Sequence, residues 1–475
     1  MNLTEKYAKR LSICESIYKD KHNGQSMPQF KKVMIASVVE NTKKFLNESF
    51  AANAATQGGA VGLNLGEWKK FCINLTSVAL PNLIGTDLVI TQPMSSMTGY
   101  ITYLQYQAGI DKGGVKANDV FNTTFRMGEM TDDRINYTGK AVVESATGDG
   151  TTKSFDIMFT ENAKLVAVKV DGVAVEIETG VDTPTAGKVA LINNKVEFGT
   201  APEAGKAVKI AYEYNNVIIP QETLPTLKAN LKHLALTARA RRIAIYYSQI
   251  SAFQAKQDYG IDLAAQIAEQ AVGELQYEID SEIVKMLVDG AEEDSTLTWS
   301  RYLPVGVSKA QHYEGFLEVL EKGRAVMYKR TQKFSPNYMI IDAAILPIFT
   351  FVPGWKPSDV TIPNGPYFAG TINGMKVYVS PMINDGTFVM GVIGGDMQTS
   401  AGVYAPYMAV VPTQLLGFAD GTMSQGFSTL YDMKLLSTYN GSIAEGTAVE
   451  PANGDDGQFS YLLVKGKVID TKIGD

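Results

Sequence analysis

Residues 258–289 read DYGIDLAAQIAEQAVGELQYEIDSEIVKMLVD, and the spacing within this stretch decides the architecture. Ile261, Ala264, Ala268, Val272, Leu275, Ile279, Ile283 and Met286 recur at helical intervals across the whole run. Gln266, Glu269, Gln270, Glu274, Glu278 and Lys285 fill the intervening polar face. No proline interrupts the stretch, and Gly290 follows it as a helix stop. A single helix of this length would reach roughly 48 Å, long for an ordinary globular domain. Gly273 in its middle costs on the order of 1 kcal/mol against alanine, so a close neighbour is expected there. The acidic residues could pair for acid–base work. No histidine or cysteine stands near them, so a solvated or subunit-facing helix side is the plainer reading. In a chain otherwise rich in strands, such a helix is a scaffold spine.

The chain has 475 residues, which suggests about three structural units. Hydrophobic residues make up 45 % and charged residues 20 %, enough for a large core in a soluble protein. A formal net charge of -7 argues against nucleic-acid binding by charge. Cys14 and Cys72 do not make a disulfide scaffold, and His22, His233 and His312 are too scattered for a zinc site. The opening MNLTEKYAKRLS has no apolar signal core, and no run of about 18 apolar residues occurs. A chain made and kept in the cytoplasm is the expectation.

Working outward, residues 1–50 look helical and polar in two parts, with Val33, Ile35, Val38, Val39 and Leu46 as an apolar face of the second. Residues 50–66 turn to Ala, Gly, Asn and Gln, as in an extended arm. A strand is expected around Tyr100–Tyr106, followed by a long polar loop over 109–137. Residues 147–216 alternate as short strands between Gly, Asn, Asp and Pro turns, with Asp171-Gly172 marking a hairpin. They read as a small all-β module of about 70 residues, within the usual domain range. Its Glu161, Glu176, Glu178 and Glu213 could suggest calcium or sugar contacts, although solvent-facing strand positions explain them more simply. Arg239, Arg241 and Arg242 form a basic cluster that suits salt bridges better than a phosphate backbone. A loop is expected over 290–304, an amphipathic helix over 313–330, and strands from Asn337 onward, ending in a hairpin around QFSYLLVKGKVI.

Catalytic signatures are missing. The chain has no GxxxxGK[ST] loop, no GxSxG elbow and no HExxH site. Gly113-Gly114 and Gly394-Gly395-Asp396 do not open a helix after a strand, as a phosphate cradle requires. Cys72 lies between Phe71 and Ile73, where a buried inert thiol is the default. The expectation is a structural or binding protein: no enzyme, no cofactor, no metal.

Five segments carry a family resemblance: MPQF with KKVMIASVVEN at 27–41, LPNLIGTDLVITQPMSSMTGYI at 80–101, the helical stretch at 259–287, YFAGTINGMKVYVSP at 367–381, and AGVYAPYMAVVP at 401–412 with GFSTLYDM at 426–433. In this order they resemble the major capsid proteins of T-even-type tailed bacteriophages. That resemblance implies an α+β chain with the Hong Kong 97-type capsid fold and an inserted small all-β domain. The implied division is a helical N-terminal peptide at 1–49 and an N-terminal arm at 50–79. The extended loop and start of the core take 80–146, and the inserted module 147–216. A peripheral domain with the spine helix at 258–289 covers 217–334. An axial domain with returning peripheral strands covers 335–475. The insertion departs from the family in sequence, so what it binds does not carry over.

The function this implies is a self-assembling shell subunit of a virion head enclosing double-stranded DNA, assembled in the host bacterial cytoplasm. Expected partners are further copies of the chain, as hexamers and pentamers or with a separate vertex protein. Portal, scaffold and head protease are expected during assembly, and decoration proteins afterwards, with no specific nucleic-acid binding and no membrane. An encapsulin-like compartment and a carbohydrate-binding virion surface protein are the alternatives. Family precursors lose their N-terminal peptide to a cut after a glutamate two residues beyond a leucine or isoleucine. Leu46-Asn47-Glu48 fits, placing a candidate maturation cleavage between Glu48 and Ser49. Retention of the N-terminal helices as an internal element is the competing reading.

Overall fold

The computed structural model describes residues 3–21, 24–56, 80–110, 141–215, 224–260, 263–331, 333–358, 365–395, 397–413, 416–418, 420–436, 438–440, 450–451 and 459–471. The chain forms two compact units, one of residues 1–103 with 233–475 and one of residues 104–232. The expected long loop at 109–137, the arm beyond Thr56, the surroundings of Cys72 and Gly113-Gly114 lie outside the described residues.

The larger unit is built on the spine helix, Leu263–Asp289. It is shorter than its sequence promised. Gly260 takes a left-handed conformation with φ of 68° and caps a separate helix, Gln249–Tyr259, so Asp258 and Tyr259 belong to that earlier helix. Glycine adopts this conformation without a Cβ penalty, which ends a helix where periodicity alone would carry it through. The expected inward face is inward: Ala268, Val272, Leu275, Ile279 and Ile283 are all buried. The first half of the helix packs with Ile245, Val410 and Phe427 of a five-stranded sheet. The second half joins the main core through Ile279, Ile283, Val284 and Leu287. Gly273 is a correction, because a Cβ built there meets nothing within 4 Å.

In the five-stranded sheet, Ile90–Thr91, Gly402–Pro412, Thr422–Leu435 and Arg239–Ser248 lie in that order, and Leu416–Gly417 also pairs with Thr422–Leu435. A seven-stranded mixed sheet runs Glu292–Ser300, Leu463–Ile469, Thr387–Gly391, Tyr338–Asp342, Met375–Ser380, Tyr367–Ile372, Trp355–Pro357. Tyr338–Asp342 is buried along its length, as a central strand covered on both faces should be. Two expectations fail in this sheet. Residues 292–300 form a strand, not a loop, because their parallel partner Leu463–Ile469 comes from the far end of the chain. That partner accordingly sits inside the sheet and not in a terminal hairpin.

The smaller unit contains a seven-stranded sheet of Ala141–Thr147, Ala207–Glu213, Lys164–Val170, Val173–Glu178, Lys188–Ile192, Lys195–Phe198 and Ser154–Asp156, in that order. The hairpin expected at Asp171-Gly172 is present, with both residues at positive φ. Its own core includes Val142, Phe159, Val168, Val189, Phe198, Val208, Ile210 and Tyr212. The expected start at 147 is too late. Residues 141–147 pair along Ala207–Glu213 and supply the buried Val142. A two-stranded ribbon, Thr98–Ala108 with Leu227–Thr237, carries the chain between the units in both directions.

Candidate functional site: the seat of the N-terminal helices and the junction at Glu48

Helices α1 (Leu3–Lys6), α2 (Ala8–Lys21) and α3 (Gln29–Thr56) form the N-terminal segment. Leu11, Cys14, Tyr18, Met34, Ile35, Val38 and Val39 belong to the same buried cluster as the spine helix and the seven-stranded sheet. Val33, expected inward, is exposed, and Met34 takes the buried place. Burial pushes the Cys14 thiol up to about 11, which leaves it protonated and inert.

Polar contacts fix this segment in its seat. Lys31 of α3 pairs with Asp87, both side chains being buried. Its ammonium lies 4.9 Å from the centroid of the Tyr18 ring, and the Tyr18 hydroxyl donates to the same carboxylate at 3.4 Å. Burial pushes the Lys31 amine pKa down, against the opposing pull of Asp87. The turn that carries Asp87 is anchored in its turn by the spine helix. Asp280 accepts the backbone N–H of Ile84 at 3.2 Å and of Gly85 at 2.7 Å. Further along α3, the Asn41 amide donates to the carbonyls of Met94 at 2.7 Å and Tyr407 at 3.1 Å. Glu40 accepts from Tyr7 and from Lys6, and these contacts hold its carboxyl below the usual range. Sequence reading missed Lys31, Asn41, Asp87 and Asp280, because each pairs across a gap of 50 residues or more that no local pattern records.

The candidate cut between Glu48 and Ser49 does not fall at an element boundary. Helix α3 continues to Thr56, so the arm expected from residue 50 begins as helix. The run FAANAAT is alanine-rich, and alanine is the strongest helix former.

Other singled-out residues have structural partners. Arg241 forms a two-point pair with Glu282 of the spine helix at 3.0 and 3.1 Å, and the Tyr431 hydroxyl donates to the same carboxylate at 2.8 Å. Arg239 and Arg242 are exposed and do not share that partner. His233 contacts Thr102 across the ribbon, and His312 stacks on Trp299 and contacts the Ser300 carbonyl. Glu176 and Glu178 both pair with Lys188. Among the described residues, no group of three His, Cys, Asp or Glu side chains could hold a metal, and no helix is long and apolar enough to cross a membrane.

What this arrangement offers is a set of elements anchored to one another. Comparison with known families decides between the structural readings: the model of the major capsid protein Gp23 matches residues 65–460. The chain belongs to the Gp23 major capsid protein family. Its function is accordingly that of a capsid subunit of a tailed phage, and its place is the virion shell. It is 23 % identical over 407 residues to the major capsid protein of Enterobacteria phage T4, covering 79 % of this chain and 75 % of that one. For the major capsid protein of Enterobacteria phage T6 the figures are 22 %, 79 % and 78 %. Among solved structures, a chain of Mycobacterium phage Cain gives a TM-score of 0.33 at 10 % identity, over 69 % of this chain and 92 % of that one. The capsid of Myoviridae phage XM1 gives 0.32 at 7 % identity, over 70 % and 88 %.

Proposed function

We propose that this Gp23-family chain builds the icosahedral or prolate head around double-stranded DNA by associating as hexamers and pentamers, or as hexamers with a separate vertex protein. The observation that carries this reading is the family match over residues 65–460. The Hong Kong 97-type architecture fits the parts seen here: a spine helix laid on a sheet, a two-stranded ribbon and an inserted β module. Portal, scaffold and head protease are the partners proposed during assembly in the host cytoplasm, with decoration proteins afterwards. The net charge of -7 suits a container, since a wall that bound phosphate strongly would hinder packing and release of DNA. The family match favours a phage head over an encapsulin-like compartment. Sedimentation velocity of the full chain, across concentration and salt, tests the reading. Large discrete assemblies support it, and a monomer under all conditions refutes it.

For the N-terminus, packing favours retention over cleavage. A protease acting after Glu48 must first unwind α3, because its substrate binds extended. Residues before the cut fill the main core, so removing them would open a large apolar surface. The proposal is that residues 1–48 stay in the mature shell. Intact-mass measurement of protein from mature heads checks it: a chain beginning at Met1 agrees, and a chain beginning at Ser49 establishes the cut.

A further inference from the structure

Among the described residues, nothing covers an apolar face at one end of the five-stranded sheet. The spine helix covers the other face, where Ile245 and Phe427 are buried with Ala271, Val272 and Leu275. On the open face of Arg239–Ser248, the alternate residues Ala240, Arg242, Ala244 and Tyr246 are all exposed. Strand register puts Tyr246 and Leu416 on either side of Ser424, so two large side chains flank a small one in a single row. The Phe418 N–H donates to the Thr422 carbonyl, placing Phe418 at the tip of the same hairpin. Tyr246, Leu416 and Phe418 are 67 %, 58 % and 50 % exposed.

The short helix Gln249–Tyr259 adds to this surface. The Gln249 N–H donates to the Gly421 carbonyl, which ties the start of the helix to that hairpin tip. None of its eleven residues is buried, while Ile250 and Phe253, one turn apart, are 70 % and 67 % exposed. An isolated helix of this length is marginal in water, and among the described residues the chain gives this one only partial cover. At about 150–250 Å² for each aromatic side chain, Tyr246, Phe253 and Phe418 alone leave roughly 300–450 Å² open. That is as large as the largest patch on a typical monomer, about 300–600 Å². It is also a major share of the roughly 800 Å² that each partner contributes to a standard interface.

We propose that this face, formed by Tyr246, Ile250, Phe253, Leu416 and Phe418, is a contact surface for a second copy of this chain. The inference rests on the shell reading and assigns one of its contacts. Charge selects the same occupant. Arg242 projects from the face without an ion pair among the described residues. Every copy carries a net charge of -7, with Glu274 and Glu278 exposed one turn apart on the spine helix. A bare patch of one copy against a different patch of the next is a heterologous contact, the kind that closes rings.

The experiment uses the full-length chain carrying Tyr246→Glu or Phe418→Glu, with thermal melting as the folding control. At a concentration where the unaltered chain is assembled, the assembled fraction is expected to fall at least tenfold, with the melting temperature nearly unchanged. Variants that assemble like the parent overturn the interface while leaving the shell reading standing. An unaltered chain that never assembles overturns both. A photo-crosslinking residue in place of Phe418 covers the case of a variant that misfolds. Crosslinked products of twice the chain mass in assembled particles support the proposal. Unlinked chain, or chain linked to a different protein, contradicts it.

Discussion

Lys31 and Asp87 show how much one pair of residues can carry. Each is buried, and each offsets the other's charge there. Removing one partner strands a charge, so Asp87→Ala should destabilise the larger unit by about 3–5 kcal/mol. Replacing both with apolar residues, as in Lys31→Met with Asp87→Leu, should recover most of that loss; denaturant midpoints of the single and double variants measure the difference. Two glycines make a second contrast. Gly386 has φ of 72°, and a Cβ there would lie 2.2 Å from the Val468 carbonyl oxygen. Gly386→Ala should therefore cost about 1–3 kcal/mol from backbone conformation alone, and more from the clash. Gly273 sits in open space within a helix, so Gly273→Ala should stabilise the unassembled chain by up to about 1 kcal/mol. Equal effects from the two substitutions, read by thermal melting, would contradict this account.

At the scale of elements, what could be read from sequence depended on how local the information was. The spine helix was legible because eight apolar residues repeat at one period, and the inserted module because Asp171-Gly172 announces its hairpin. The break at Gly260 was not, since a left-handed glycine leaves the apolar period untouched. The strand at 292–300 was hidden because its partner lies about 170 residues away. The same distance problem concealed the seat of the N-terminal helices, while the candidate junction at Glu48 was legible only as a family pattern. The Glu40 contacts give that seat a pH dependence. Its folded pKa lies below the ordinary carboxylate value of 4.5, so its contribution is present above that value and is lost as pH falls below it. Acidification should therefore loosen α1 and α2 from α3, and Glu40→Gln should remove that part of the acid sensitivity; hydrogen exchange over residues 3–21 reads both. For the module, deletion of 141–215 with a Gly-Ser bridge should leave the larger unit's melting transition in place. Deletion of 147–216 strands the partnerless strand 141–146, and calorimetry with light scattering should show aggregation from that variant alone.

For the whole molecule, the parts make sense as an assembly unit. A helix without buried residues, a bare sheet end and a two-stranded ribbon are awkward in a solitary monomer and ordinary in a subunit that meets its own copies. No single contact has to be strong, because each subunit makes several at once. The N-terminal helices belong to this unit as core, filling the space beside the spine helix and not hanging from it. Electron microscopy of the purified full-length chain is the most direct test. The account predicts closed particles, or rings of five and six subunits; a field of separate single-chain particles at every concentration and salt would contradict it.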